Sequence, residues 1–350
     1  MKYKLNEKRY LAELEKELAI DSVTGQYHEL QDYLLKEIKK LGFKPQTLHK
    51  GGIIVDACGE GNPLLVTAHG DTIGLMVRHI NSDGTLKVCK VGGLYAYHTE
   101  RENVRVHTRD GKVITGAVQR KNPSVHVTED ELNKEVANFD VNSFVVLDEN
   151  VKSAEDVRKL GIEIGDYVAV EPRFTVSNGY IKSHFIDDKA LVALLLELLK
   201  EIGGGKVKLT RKLYIYISFY EEIGHGGSMI PADVKDFLAV DIACTGPEQT
   251  SDERKVSIFC KDSRFPYNLD MTRELEAAAK KSGADYVLDI FTPHYGTDAD
   301  PALTAGYDIR HGAIGPGVRA SHGYERTHID AIKSTYSLLM GYVSAENMYL

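Results

Sequence analysis

The sequence predicts a mixed α/β fold: a mainly parallel sheet sandwiched by helices, with a smaller β-rich domain inserted into it. Three observations carry this prediction. Apolar, β-branched and aromatic runs such as residues 213–220, LYIYISFY, stop abruptly at acids or histidines, as buried strands do where they leave a sheet. Segments of helical spacing recur at both ends of the chain. Between residues 72 and 182 the texture changes to alternating segments and hairpin turns.

At 350 residues the chain exceeds the size at which one core usually keeps growing, so two domains are expected. They are residues 1–72 with 181–350, and the insert 73–180. A hydrophobic content of 43% and a charged content of 27% are those of a globular protein able to bury a sizeable core. A net charge of -8 with scattered Lys and Arg argues against nucleic acid or anionic membrane as a partner. The amino terminus is charged throughout and lacks the apolar core of a signal peptide, and no run reaches membrane-spanning length. A cytoplasmic location is therefore expected. Cys58, Cys89, Cys244 and Cys260 form no CxxC pair, which suggests buried free thiols rather than disulfides or a thiolate metal site.

The spacing predicts helices over 6–18 and 28–41, the second stopping at Gly42. Residues 53–57 and 64–68 read as two strands joined by a Gly-Asn-Pro turn, the second ending at His69-Gly70-Asp71. Residues two apart at a strand end point to the same side, so Asp71 can orient the His69 imidazole from behind. In the insert, Asp83-Gly84 and Asp110-Gly111 mark hairpins, and a short helix runs from a Ser153 cap to Gly161. His107 and His126 lie in this insert and read as surface or structural histidines.

The α/β pattern resumes with a largely buried helix over 189–201, immediately preceded by Asp187-Asp188. Carboxylates at a helix start are commonly caps, and the alternative is that one bridges two metal ions. The 213–220 strand closes on Glu221-Glu222, which alone read equally well as a solvated acidic turn. A strand over 237–240 ends at Asp241. A helix over 272–282, a strand over 286–291, a helix through Leu303 capped by Thr297 or Asp298, and a final strand over 309–315 follow. His322 then sits in a loop before a helix over 329–345.

His69, Asp187, Glu222, Asp241 and His322 thus lie at or just beyond successive strand ends, the edge where an open α/β sheet gathers distant residues. Two imidazoles and three carboxylates form a plausible set for two divalent ions of the zinc or cobalt type, roughly 3.5–4 Å apart. Glu221, beside a ligand, stands where a general base is required.

These residues resemble the tetrahedral, dodecameric aminopeptidases that include glutamyl and deblocking aminopeptidases, co-catalytic zinc-exopeptidase-like enzymes with an inserted β domain. The resemblance rests on AHGDTIGLMV (68–77), LKVCKVGG (86–93), SAEDVRKLGIEIGD (153–166), FIDDKA (185–190), YEEIGHGGS (220–228), VDIA (240–243), GTDAD (296–300) and VRASHG (318–323). It implies that His69 and Asp241 bind one metal, Glu222 and His322 the other, and that Asp187 bridges. It further implies that Asp71 orients His69, and that Glu221 is the base for attack of a metal-bridging water on the first peptide bond of a short peptide. Zinc or cobalt is the implied metal, with manganese a further candidate, and the insert is implied to mediate self-association up to a dodecamer. The chain departs from the family pattern at His225, where arginine is usual, and in the loops after Asp241 and before His322.

Two rival activities use similar residues. A deacylase or carboxypeptidase of related type would share nearly all the ligands. An endoglucanase also needs two carboxylates, but polysaccharide hydrolases rely on aromatic platforms and this chain has no Trp. A peptide-binding scaffold that has lost catalysis would not need every ligand position filled.

Overall fold

The computed structural model describes residues 1–344, apart from the side chains of residues 132 and 133. Its centre is a mixed sheet whose strands lie in the order Gln46–Thr47, Ile53–Asp56, Leu213–Ser218, Leu64–His69, Asp236–Val240, Arg310–Val318, Val256–Lys261 and Tyr286–Ile290. The inner strands from Leu213–Ser218 to Arg310–Val318 run parallel, and antiparallel pairs flank them. Along these strands alternate residues enter different clusters. Ile53, Val55, Leu64, Val66, Ile215, Ile217 and Leu238 join the larger core. Ile54, Leu65, Tyr214, Tyr216 and Phe237 join a smaller one on the opposite face.

Long helices cover the larger core. Glu7–Leu18 and His28–Lys40 each bury one apolar stripe, while Ile186–Gly203 is buried over nearly its whole length and supplies Leu191, Leu194, Leu195 and Leu198. Leu269–Ser282 and Ile329–Val343 complete this layer. The predicted end of the last helix, at 345, lies outside the described residues. The opposite face is covered by the short helix Ala299–Thr304 and by loops, so the helical sandwich is asymmetric.

Six strands between Gly74 and Val170 close into a barrel in the order Gly74–Ile80, Leu86–Val91, Ser143–Leu147, Val113–Arg120, Asn103–His107, Tyr167–Val170. Two of its hairpins turn at Gly84 and Gly111, both at positive φ as the Asp-Gly pairs predict. Ser153 caps the helix Ala154–Leu160 by accepting the N–H of Asp156 at 3.2 Å, and Gly161 ends it in the left-handed region.

Several sequence expectations need correction. Strands Ile53–Asp56 and Leu64–His69 do not pair with each other, because Leu213–Ser218 lies between them. Strand Val256–Lys261 and the three-stranded sheet of Thr175–Ser177, Tyr180–Ser183 and Glu325–His328 carry no strong alternation and were not expected. The four cysteines are free, but none is buried and Cys58 is exposed.

Candidate metal centre

Strand ends deliver the predicted site residues to one buried spot. His69 ends its strand 2% exposed, and Asp241 directly follows the parallel strand Asp236–Val240 at 5%. Asp187 and Asp188 keep non-helical backbone angles at the start of Ile186–Gly203, so they present side chains to the site instead of continuing the helix. Ligand-type atoms of His69, Asp187 and Asp241 lie within 4.8 Å of one another, and the same holds for Asp187, Glu222 and His322. Asp187 belongs to both groups. Its Oδ1 lies 3.0 Å from His69 Nε2 and its Oδ2 3.7 Å from His322 Nε2. Glu222 Oε2 is 3.5 Å from His322 Nε2, and Glu221 Oε2 is 3.8 Å from His69 Nε2.

The bend that lets adjacent glutamates serve one site is visible. Residues Glu221–Ile223 form a single 3-10 turn that ends at Gly224 with φ 71°. Asp71 holds this turn from below: its carboxylate accepts the N–H of Glu221 at 3.2 Å and of Glu222 at 3.4 Å, and the Thr24 hydroxyl at 2.6 Å. The expectation that the Asp71 carboxylate orients His69 is thereby modified. His69 Nδ1 bonds the Asp71 backbone carbonyl at 2.9 Å, while the carboxylate stands 3.6 Å from that nitrogen.

Sequence reasoning missed residues that act from behind. Glu325 is buried and accepts the N–H of Asp187 at 3.0 Å and of His322 at 3.1 Å, fixing two ligand-bearing loops at once. Asp188 accepts the His69 N–H at 3.1 Å. Asp298, expected as a helix cap, sits at the cap position but makes no capping bond. It accepts the hydroxyls of Thr67 at 3.0 Å and Ser218 at 2.6 Å instead. Gly93 passes so close to His322 that a Cβ there would lie 2.5 Å from Nδ1, so only glycine fits. His107 pairs with Asp21, and His126 is exposed.

The electrostatics describe a site short of positive charge. Burial, then the Asp187 carboxylate, pushes the Asp241 carboxyl up to about 8. Burial likewise holds Glu221 and Glu222 well above the usual carboxylate range. Asp187 goes the other way: burial raises it, but the hydrogen bond with His69 and the charges of His69 and His322 together more than offset that. Carboxyls crowded in this way cannot all ionise unless a cation joins them. Two imidazole nitrogens with carboxylate oxygens, arranged as two groups sharing Asp187, suit divalent ions of the zinc type. A cavity of about 750 Å³ opens onto the cluster, lined among others by Glu221, Glu222, Asp241, Tyr295, Asp300 and His322.

The family model described as M42 glutamyl aminopeptidase matches residues 51–338. The YhfE protein of Bacillus subtilis (strain 168) is 41% identical over 346 residues, covering 96% of this chain and 98% of that one. Among solved structures, the TET1 peptidase of Pyrococcus horikoshii, described as able to assemble into a tetrahedron or a large octahedral shell, superposes with a TM-score of 0.83. It is 22% identical, with 95% of this chain and 99% of that chain covered. A TET aminopeptidase from the marine sediment archaeon Thaumarchaeota archaeon SCGC AB-539-E09 gives a TM-score of 0.86 at 17% identity, with 97% of each chain covered.

Proposed function

The chain belongs to the M42 glutamyl aminopeptidase family, and on that premise we propose how its residues divide the work of removing the first residue of short peptides. His69 and Asp241 hold one divalent ion, Glu222 and His322 a second, and Asp187 is shared. Zinc or cobalt suits this donor set, with manganese a further candidate. The observation that carries the reading is the pair of ligand groups meeting at Asp187, with Glu221 beside them and outside both.

When bound, the ions supply Lewis acidity, which activates water and polarises the carbonyl of the scissile bond. Glu221 supplies the proton chemistry. Its carboxylate takes a proton from the attacking water and returns it to the nitrogen of the leaving peptide, and burial strengthens it as a base. Asp71 keeps that carboxylate aimed by holding the N–H groups of the turn. The insert mediates self-association of the chain, so that substrates are limited to peptides able to reach an enclosed site.

The test uses protein stripped by a chelator and reloaded. Hydrolysis of aminoacyl-p-nitroanilides is lost on stripping and returns with Zn, Co or Mn, while acylated and carboxy-terminal substrates stay intact. Glu221→Gln keeps metal and fold and loses at least about a hundredfold in kcat, the usual contribution of a general base. Undiminished activity after stripping would overturn the metal assignment, and wild-type turnover in Glu221→Gln would place the base elsewhere.

A further inference from the structure

The cavity continues past the ligand cluster. Its wall also includes Tyr295, Thr297, Pro301 and Asp300. Asp300 is 1% exposed, and among the described residues its carboxyl meets only that of Asp262, with which it shares a proton. Asp262, fully buried, stands behind it. Its Oδ1 accepts the N–H groups of Arg264 at 2.8 Å and Phe265 at 2.9 Å, while the rest of the carboxyl faces Asp300 and the Tyr267 hydroxyl. His311 Nε2, which feels the Asp262 charge, is a buried polar atom left unpaired. Adjoining buried carboxyls that share a proton lack a buried counter-charge, which a cationic ligand would supply.

We propose that Asp300, backed by Asp262, receives the cationic side chain of a substrate whose amino-terminal residue is Lys or Arg. The inference rests on the aminopeptidase reading and names its substrate class. Position supports it. Tyr295 adjoins Asp241 and Asp187 as well as Tyr267, and Tyr267 in turn adjoins Asp262 and Asp300. The acid pair and the ligand cluster are thus linked through Tyr267 and Tyr295, and Asp300 lines the same cavity as the cluster. Tyr295, Pro293 and Pro301 offer apolar surface to an aliphatic stem, and the buried carboxyls receive the charge at its end.

Burial, then the neighbouring Asp262, pushes the Asp300 carboxyl up to about 7. A bound ammonium or guanidinium would relieve that crowding. The same cavity also carries Arg264, exposed and near Gly224, whose guanidinium is close enough to Asp300 to lower its carboxyl and so is turned toward the acid pair instead of being free for an acidic side chain. Solvent screens Arg264, whereas it cannot screen the buried pair.

The experiment measures kcat/KM of the metal-loaded wild type with lysyl-, arginyl-, leucyl- and glutamyl-p-nitroanilide. The cationic substrates exceed the other two by at least about tenfold, and Asp300→Asn lowers the lysyl-to-leucyl ratio by at least about tenfold. Preference for leucyl or glutamyl substrate, or an unchanged ratio in Asp300→Asn, overturns the proposal and leaves the aminopeptidase reading standing. Hydrolysis of none of the four overturns that reading, and this proposal with it. Because Asp300→Asn could fail to fold, the wild type is also inhibited with free L-lysine and with L-norleucine, which has the same stem without the charge. Lysine inhibits leucyl hydrolysis at roughly tenfold lower concentration if the acid pair is the receptor, and equal inhibition overturns the proposal.

Discussion

The Asp71 carboxylate carries the turn that presents Glu221 and Glu222. It is fully buried and accepts two backbone N–H groups and the Thr24 hydroxyl. An asparagine has one acceptor oxygen in place of two, so it leaves part of this arrangement unmet and lets the turn shift. Asp71→Asn is expected to lower turnover about 10–100-fold, the usual effect of losing a group that orients metal ligands. Thr24→Val, which leaves the carboxylate in place, should cost less. Kinetics of both variants, with circular dichroism to confirm folding, checks this; wild-type turnover in Asp71→Asn would remove Asp71 from the positioning role. His69, Glu222 and Asp241 were legible in the sequence because each interrupts or follows an apolar run, which composition records. Glu325 and Asp298 were not, because the Asp187 N–H that Glu325 holds and the Thr67 and Ser218 hydroxyls that Asp298 holds are far away in the chain, and nothing local marks such a partner.

Elements are joined by contacts of a different kind. Asp21, in the loop between the first two helices, receives Arg105 at 2.6 and 2.7 Å and His107 at 2.7 Å, both from the barrel strand Asn103–His107. Burial alone would raise the Asp21 carboxyl, but these hydrogen bonds outweigh it and hold the group at about 2. A carboxyl depressed on folding stabilises the folded state above its unfolded pKa, near 3.9, and this contribution fades as pH falls toward 2. The expected contribution at neutral pH is about 2 kcal/mol. Urea midpoints of wild type and Asp21→Asn should therefore differ clearly above about pH 5 and converge as pH falls toward 2. A difference that stays constant across that window would show that the pair adds no pH-dependent stability. The elements so joined were mostly legible, since hairpin dipeptides, caps and periodicity are local signals. Lateral order was not: strand Leu213–Ser218 inserts between Ile53–Asp56 and Leu64–His69, a choice made by packing and register across the sheet.

At the scale of the whole molecule, the barrel carries a segment that a solitary chain would not favour. Residues 121–142, between barrel strands Val113–Arg120 and Ser143–Leu147, expose Val125 at 68%, Val127 at 87%, Val136 at 69% and Val141 at 65%. Single exposed apolar residues are ordinary, but several on one excursion are what the proposed self-association would bury. The proposed self-association supplies that cover with a second copy of the chain. Alternating strands and turns made the insert legible as β structure, yet its outward valines could be told from core valines only once the barrel had closed. Placing a charge there should oppose burial without touching the metal centre. Light scattering of Val127→Glu combined with Val136→Glu is expected to give a smaller particle than wild type, with metal content and hydrolysis of an aminoacyl-p-nitroanilide per subunit retained. Hydrolysis of long peptides relative to short ones should then rise, because an opened assembly no longer restricts entry. An unchanged particle mass would move the contact to another face, and a wild type that scatters as a monomer would overturn the self-association reading.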